Sequence, residues 1–196
     1  MISKKNHMME EKAEHFFKAL QPFISSFFQS FDKTITELNI VISPKVYNNA
    51  YRYVLLSEGL DGLGINESQL DWSRVSDPYI SWAKSELGAK KFLETKIKNS
   101  KQVIVVVKGS ILGYELVEVA KTMLGEAESF FENELTPFFA KNYNFNSDFF
   151  QLSDNVYNRL KYRIDFVRES IALFKEEEEI IALEVNDWQI VDKFEI

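Results

Sequence analysis

Two histidines, His7 and His15, are the only imidazoles among 196 residues, and there is no cysteine. Imidazole and thiolate are the usual general bases, nucleophiles and transition-metal ligands, so their scarcity narrows the chemistry at once. Glu11 and His15 share a helix face at i, i+4. Two ligands fall short of the three or four that a metal site needs. A Ser-His-acid triad would have to use one of these two histidines, and no Gly-x-Ser-x-Gly turn is present. His15 stands one place before a long apolar stripe and reads as a boundary residue. Neither a Gly-x-x-x-x-Gly-Lys-Ser/Thr loop nor a Gly-x-Gly-x-x-Gly turn occurs, so phosphate-cradling glycine loops are excluded. Glu94-Thr95-Lys96 has the acid-x-Lys spacing of a metal-dependent nuclease. It falls in a helical pattern without a clear second acid, and such a centre needs at least two carboxylates to hold its ion. The sequence thus assigns no catalytic residue, no metal ligand and no cofactor.

What remains is charge. The formal net charge is -7. Residues 1–100 carry 13 basic and 12 acidic groups, whereas residues 101–196 carry 10 and 18. A basic stretch, Lys84 to Lys108, holds seven Lys and two Glu. Acidic groups follow: Glu115, Glu118, Glu126, Glu128, Glu132 and Glu134, then Glu176, Glu177, Glu178 and Glu179. An acidic balance argues against general nucleic-acid binding, which needs cations to displace phosphate counterions. Concentrated in one half, it makes a directed field suited to a basic protein partner. The candidate partner-binding residues are Glu126, Glu128, Glu132, Glu134 and Glu176 to Glu179. Mutual neutralisation of the Lys-rich and Glu-rich segments is the competing account.

Helical periodicity supplies the elements that would carry these groups. From Met8 to Leu38, the residues Phe16, Phe17, Leu20, Phe23, Ile24, Phe27, Phe28, Phe31, Ile35 and Leu38 fall within an arc of roughly 140° at the helical repeat. That predicts one long helix curved at Pro22, with Phe27 near its centre. Asn39–Ser43 reads as a short strand. Ser43-Pro44 is a helix start signal, and Val46, Tyr47, Ala50, Tyr51, Val54 and Leu55 fit a helix to about Glu58. A weak capping box lies at Asn66 to Gln69. Ser76-Asp77-Pro78 opens another helical pattern through Trp82 to Gly88, continuing to about Lys98. Gln102–Val107 is the best strand, Lys108-Gly109-Ser110 a turn, and Ile111–Leu124 and Gly125–Tyr143 two helices, the second interrupted by Pro137. Asn144–Asp148 reads as a loop, and Ser153 as the cap of the last long helix.

In that last helix Tyr157, Leu160, Ile164, Val167, Ile171 and Phe174 form a packing seam. A second stripe, Tyr162, Phe166 and Leu173, lies opposite and is read as core, with a partner interface as its alternative. The helix is expected to end near 180–184, followed by a turn at Asn186-Asp187 and a short extended segment.

The fold expected is mainly α, a helical bundle-like single domain over residues 1–196. Two long helices lie near its ends, with a minor β element that would make it α+β. The longest apolar-leaning run contains Lys108, Glu115, Glu118 and Lys121, so no membrane span is expected. The first residues lack the apolar core of a secretion signal, and a cytoplasmic location is the expectation. The function expected is a non-catalytic, protein-binding one: an acidic inhibitor, immunity or antidote protein covering the basic surface of a toxin or nucleic-acid-processing enzyme. A metal-dependent phosphoryl or nucleic-acid hydrolase and a structural scaffold subunit are the alternatives. Oligomeric state is not legible.

Overall fold

The computed structural model describes residues 4–25, 35–36, 41–56, 75–76, 78–96, 103–142 and 155–195. Phe27, the capping box at Asn66, the loop Asn144–Asp148 and Ser153 lie outside the described residues. The chain divides into a helical unit, residues 1–40 and 119–171, and a second unit, residues 41–118 and 172–196. The mainly α, bundle-like expectation is overturned by this second unit, an antiparallel four-stranded closed barrel.

The helical unit begins with α1 (Lys4–Ala19) and the single turn α2 (Pro22–Ser25). The long helix expected through Pro22 stops before it. Proline has no N–H to give the Lys18 carbonyl; Gln21 N takes that carbonyl instead, at 3.1 Å, and closes the tighter turn that ends α1. Pro22 then occupies the first position of the next turn, where a missing donor is harmless. Phe16, Leu20, Phe23 and Ile35 of the apolar stripe are buried.

A continuous helical rod follows later in the chain: α4 (Leu116–Phe130), a π-helical turn (Phe131–Leu135) and α5 (Thr136–Asn142). Its first three residues belong to the second unit. Gly125 does not divide it. The Thr136 N–H reaches back to the Phe131 carbonyl, five residues away. This wider turn lies directly before Pro137, where the regular i→i−4 ladder loses a donor.

The last helix, α6 (Val156–Glu177), is capped by Asn155, whose Oδ1 accepts from Asn158 N at 2.8 Å. Its seam is buried as expected at Tyr157, Leu160, Ile164, Val167 and Phe174. Aromatic rings dominate the packing. Phe16 stacks on Phe130 at 5.0 Å, and Tyr157 lies 4.7 Å from Phe131 and 5.3 Å from Phe139. The second stripe is corrected: Tyr162, Phe166 and Leu173 are exposed.

In the barrel, β1 is Lys45–Leu56, β2 Ile80–Ala83, β3 Val103–Glu115 and β4 Glu179–Glu195, with α3 (Glu86–Lys96) between β2 and β3. β3 is central, antiparallel to both β1 and β4; β2 pairs with β4 and meets β1 at Tyr51–Ala83. The buried strand expected at 102–107 is found. Ile104 to Val107 are all at most 1% exposed, so both faces are covered. The expected turn at Gly109 and helix at Ile111 are instead the continuation of β3. The helices expected over 44–58 and around Trp82 are β1 and β2.

Bulges explain why β1 and β4 resemble helices in sequence. In β1, Asn48 and Asn49 together oppose Ser110. The core-lining residues Tyr47, Ala50 and Val54 therefore step by three and four. In β4 the register skips Leu183, Asn186 and Val191, so the core residues Ala182, Val185 and Trp188 step by three. The expected turn at Asn186-Asp187 is one of these bulges. Each bulge adds local twist, which a barrel of only four strands needs to close.

Close strand approach is the other requirement. A Cβ on Gly109 would stand 2.6 Å from the Asp187 carbonyl oxygen, and one on Gly113 would stand 2.5 Å from that of Ile181. Trp82, 2% exposed, fills the interior with Val105, Val107, Ile111 and Ile180.

Candidate functional site

The eight glutamates singled out by the sequence fall into two sets, one in each unit. In the helical unit, Glu126, Glu132 and Glu134 are exposed and Glu128 is half-buried. Two of them are already neutralised within the unit. Arg168 reaches Glu128 at 2.7 Å, and Lys12 reaches Glu134 at 2.8 Å while lying 4.8 Å over the Phe130 ring. Glu126 and Glu132 have no ion-pair partner among the described residues. Of the Lys-rich stretch, Lys84 pairs with Glu115 at 2.5 Å, Lys91 with Glu94, and Lys108 lies over the Tyr51 ring.

The second set, Glu176 to Glu179, spans the end of α6 and the start of β4. Only Glu176 is exposed; Glu177 and Glu179 are 4% and 5% exposed. The helix ends here, earlier than 180–184, because Glu178 takes a left-handed conformation, φ 50°. That costs about 1–2 kcal/mol for a residue with a side chain, and local bonds offset it. The Glu178 carbonyl accepts from Lys84 N at 3.1 Å, and its carboxylate accepts from Ser85 Oγ. Ser85 Oγ also accepts from Gly88 N at 3.1 Å, capping α3. The Glu178 carboxylate thus stands at a helix N-terminus, where backbone N–H groups favour negative charge.

Glu179 accepts from Ser81 Oγ, and Arg52 Nη1 donates to the Ser81 carbonyl at 3.2 Å. Both serine hydroxyls are therefore held by carboxylates. Among the described residues the cluster holds no imidazole. The cluster acts as a polar clasp that joins β2, α3 and β4.

Beside the clasp, Lys45 pairs with Glu118 at 2.6 Å, which raises the Lys45 pKa above its ordinary value. Tyr47 is pushed up, first by burial and then by the charge of Glu115. Its hydroxyl and the Trp82 indole N–H are buried and have no hydrogen-bond partner among the described residues. In the amino-acid order, only the run of four glutamates hints at this cluster. Ser81, Ser85 and Arg52 come from segments read as helix.

β4 supplies a surface of a different kind. Glu184, Asp187 and Asp192 are exposed along it, together with Ile190 (41%), Val191 (45%) and Phe194 (38%). Asp192 accepts from the Lys193 backbone N–H at 2.8 Å beside the bulge at Val191. Phe194 meets Tyr53 edge-on at 6.1 Å. Residues 172–196 carry eight acidic and two basic groups. Acidic and apolar exposure thus coincide on one strand, a juxtaposition hidden while this segment read partly as helix.

The histidines lie on α1, with His7 3.1 Å from Glu11. With Glu10, Glu11, Glu14 and Lys18 they line an open depression on α1. Among the described residues no three His, Asp or Glu side chains converge as metal ligands, and no helix is long and apolar enough to cross a membrane. In comparison with known proteins, the chain matches no family, no curated protein and no solved structure.

Proposed function

We propose that this chain is a non-catalytic binding protein that uses the exposed stretch of β4 to cover a basic surface of a partner protein. It would act as an inhibitor or antidote does, in the cytoplasm. The observation that supports this reading is the coincidence on β4 of Glu184, Asp187 and Asp192 with exposed Ile190, Val191 and Phe194. Carboxylates stand in for phosphates against a cationic cleft and speed encounter, while an apolar centre supplies the desolvated contact that holds the complex. Glu176, exposed in the same unit, adds to the charge. Glu178 and Glu179 serve the clasp instead. Glu126 and Glu132 form a separate acidic surface on the helical unit.

The test begins with a photo-crosslinking residue at Ile190, which captures the partner from cells. Association with the purified partner is then measured for the wild type and for Asp187→Lys/Asp192→Lys at low and physiological salt. The expected partner is basic, and the double variant associates more slowly and with a weaker salt dependence, while its thermal transition is unchanged. Equal association of wild type and variant would remove the β4 reading. The same experiment with Glu126→Lys/Glu132→Lys reports on the helical surface independently.

A further inference from the structure

Three arginines lie along α6 in the helical unit, and they differ in how their charge is met. Arg168 directs its Nε and Nη2 at Glu128 Oε1, at 3.0 and 2.7 Å, and its Nη1 at Asp165 at 2.7 Å. Arg159 directs Nη1 at Glu14 at 2.6 Å, with its guanidinium 4.3 Å over the Phe17 ring. Arg163 lies closer to the same ring, at 3.8 Å, and gives Nη1 to the Phe17 carbonyl at 3.3 Å and to Gln21 Oε1.

Among the described residues Arg163 meets no carboxylate. Its Nε/Nη2 edge, the edge that Arg168 spends on Glu128, has no partner there. Burial and then the nearby Arg159 lower the Arg163 pKa from its ordinary value. The Phe17 ring thus carries two guanidinium groups and Glu14 answers one of them. The same helix exposes aromatic surface at neighbouring positions. Tyr162 is 82% exposed and Phe166 48%, and with Arg159 and Arg163 they fall within an arc of about 100° at the helical repeat.

We propose that Arg163 anchors an oxyanion-binding site: its Nε/Nη2 edge takes a phosphate or carboxylate group of a small ligand, and Tyr162 and Phe166 form the shelf on which the ligand's ring rests. A guanidinium edge matches two oxygens of such a group with parallel N–H bonds. Stacking on Phe17 and the two bonds from Nη1 hold that edge in place before the ligand arrives, which lowers the ordering cost of binding. The anion supplies the missing counter-charge. The site lies in the helical unit, whereas β4 belongs to the other unit, and it does not depend on the role given to β4.

The test uses the isotope-labelled full chain. The arginine Nε–Hε resonances are followed by NMR during titration with phenyl phosphate, benzoate and inorganic phosphate. Saturable shifts are expected at Arg163, with the aryl ligands binding more tightly than inorganic phosphate. Phenyl phosphate outranking benzoate identifies a phosphate ligand, and the reverse order a carboxylate. Arg163→Lys keeps the charge and loses the fork, so it should weaken the preferred aryl ligand at least about tenfold. Tyr162→Ala, at an exposed position, should remove the advantage of the aryl ligands. Shifts of equal size at Arg159, Arg163 and Arg168 without saturation, or an affinity unchanged in Arg163→Lys, would overturn the proposal.

Discussion

The helical unit and the barrel bury their apolar residues by different rules. In the helical unit the buried positions of one helix face recur at three and four, as Leu160, Ile164 and Val167 do. The contacts within each turn are local, and glycine serves no packing purpose: a Cβ on Gly125 would meet nothing within 4 Å. In the barrel the partners are distant in sequence, as Ile104 and Phe194 are. Backbones approach so closely that Gly109 and Gly113 leave no space for a methyl group. Helices tolerate small changes in side-chain volume through rotamer adjustment. A four-stranded barrel is limited by main-chain clearance, which does not adjust.

The largest expected effect probes the helical core. Leu160 is fully buried, so Leu160→Ala should cost about 3–4 kcal/mol in denaturant unfolding through lost transfer energy and a cavity. A loss below about 1 kcal/mol would mean that the α6 seam repacks freely. The barrel should be nearly as sensitive to one added methyl. Gly113→Ala is expected to cost about 2–3 kcal/mol, because the new Cβ presses on the Ile181 carbonyl and the Ile180 side chain. In contrast, Gly125→Ala should raise stability by about 0.5–1 kcal/mol, since the helix gains a better former in open space. If both glycine variants moved the melt in the same direction, the contrast between the two units would fail.

A pH series sharpens the barrel side. The folded pKa of Tyr47 is raised by burial above the ordinary 10.0. The unfolded chain therefore ionises first, and stability present below pH 10.0 is lost as pH rises towards the folded value. Tyr47→Phe should flatten this alkaline loss relative to the wild type; parallel curves would show that Tyr47 ionises freely. The smallest effect belongs to the exposed pair Lys12–Glu134. Its side chains are 45% and 49% accessible, and Glu134→Gln should change stability by at most about 0.5 kcal/mol. A larger loss would make the acidic surface part of the helical framework.

Much of the helical unit can be read directly from residue order. The α6 seam and the buried part of the Phe stripe follow from a period that every residue in a helix obeys. Pro22 and Pro137 both mark places where the backbone ladder changes. The barrel was legible at Val103–Val107, where consecutive β-branched residues announce a strand buried on both faces, and at the extended segment expected after Asn186-Asp187, which is the end of β4. β1 and the first part of β4 were hidden because bulges lengthen the two-residue period. The spacings Tyr47–Ala50–Val54 and Ala182–Val185–Trp188 cannot be told from a helix without the opposing strand. The candidate site was legible as charge but not as geometry. Four consecutive glutamates say nothing about which will be buried.

The amino-acid order alone determined the scarcity of imidazole, the lack of thiol, the acidic second half and the faces of the helices. These depend on composition or on neighbours within a few residues. Tertiary structure decided that Glu177 and Glu179 are buried while Glu176 is exposed. It also placed Asp187 and Asp192 beside an apolar strand surface and left Arg163 without a carboxylate among the described residues. Each of these outcomes depends on which distant groups the fold brings within hydrogen-bond distance. In the barrel that is set by strand register, and one bulged residue is enough to reassign every side chain beyond it to the opposite face.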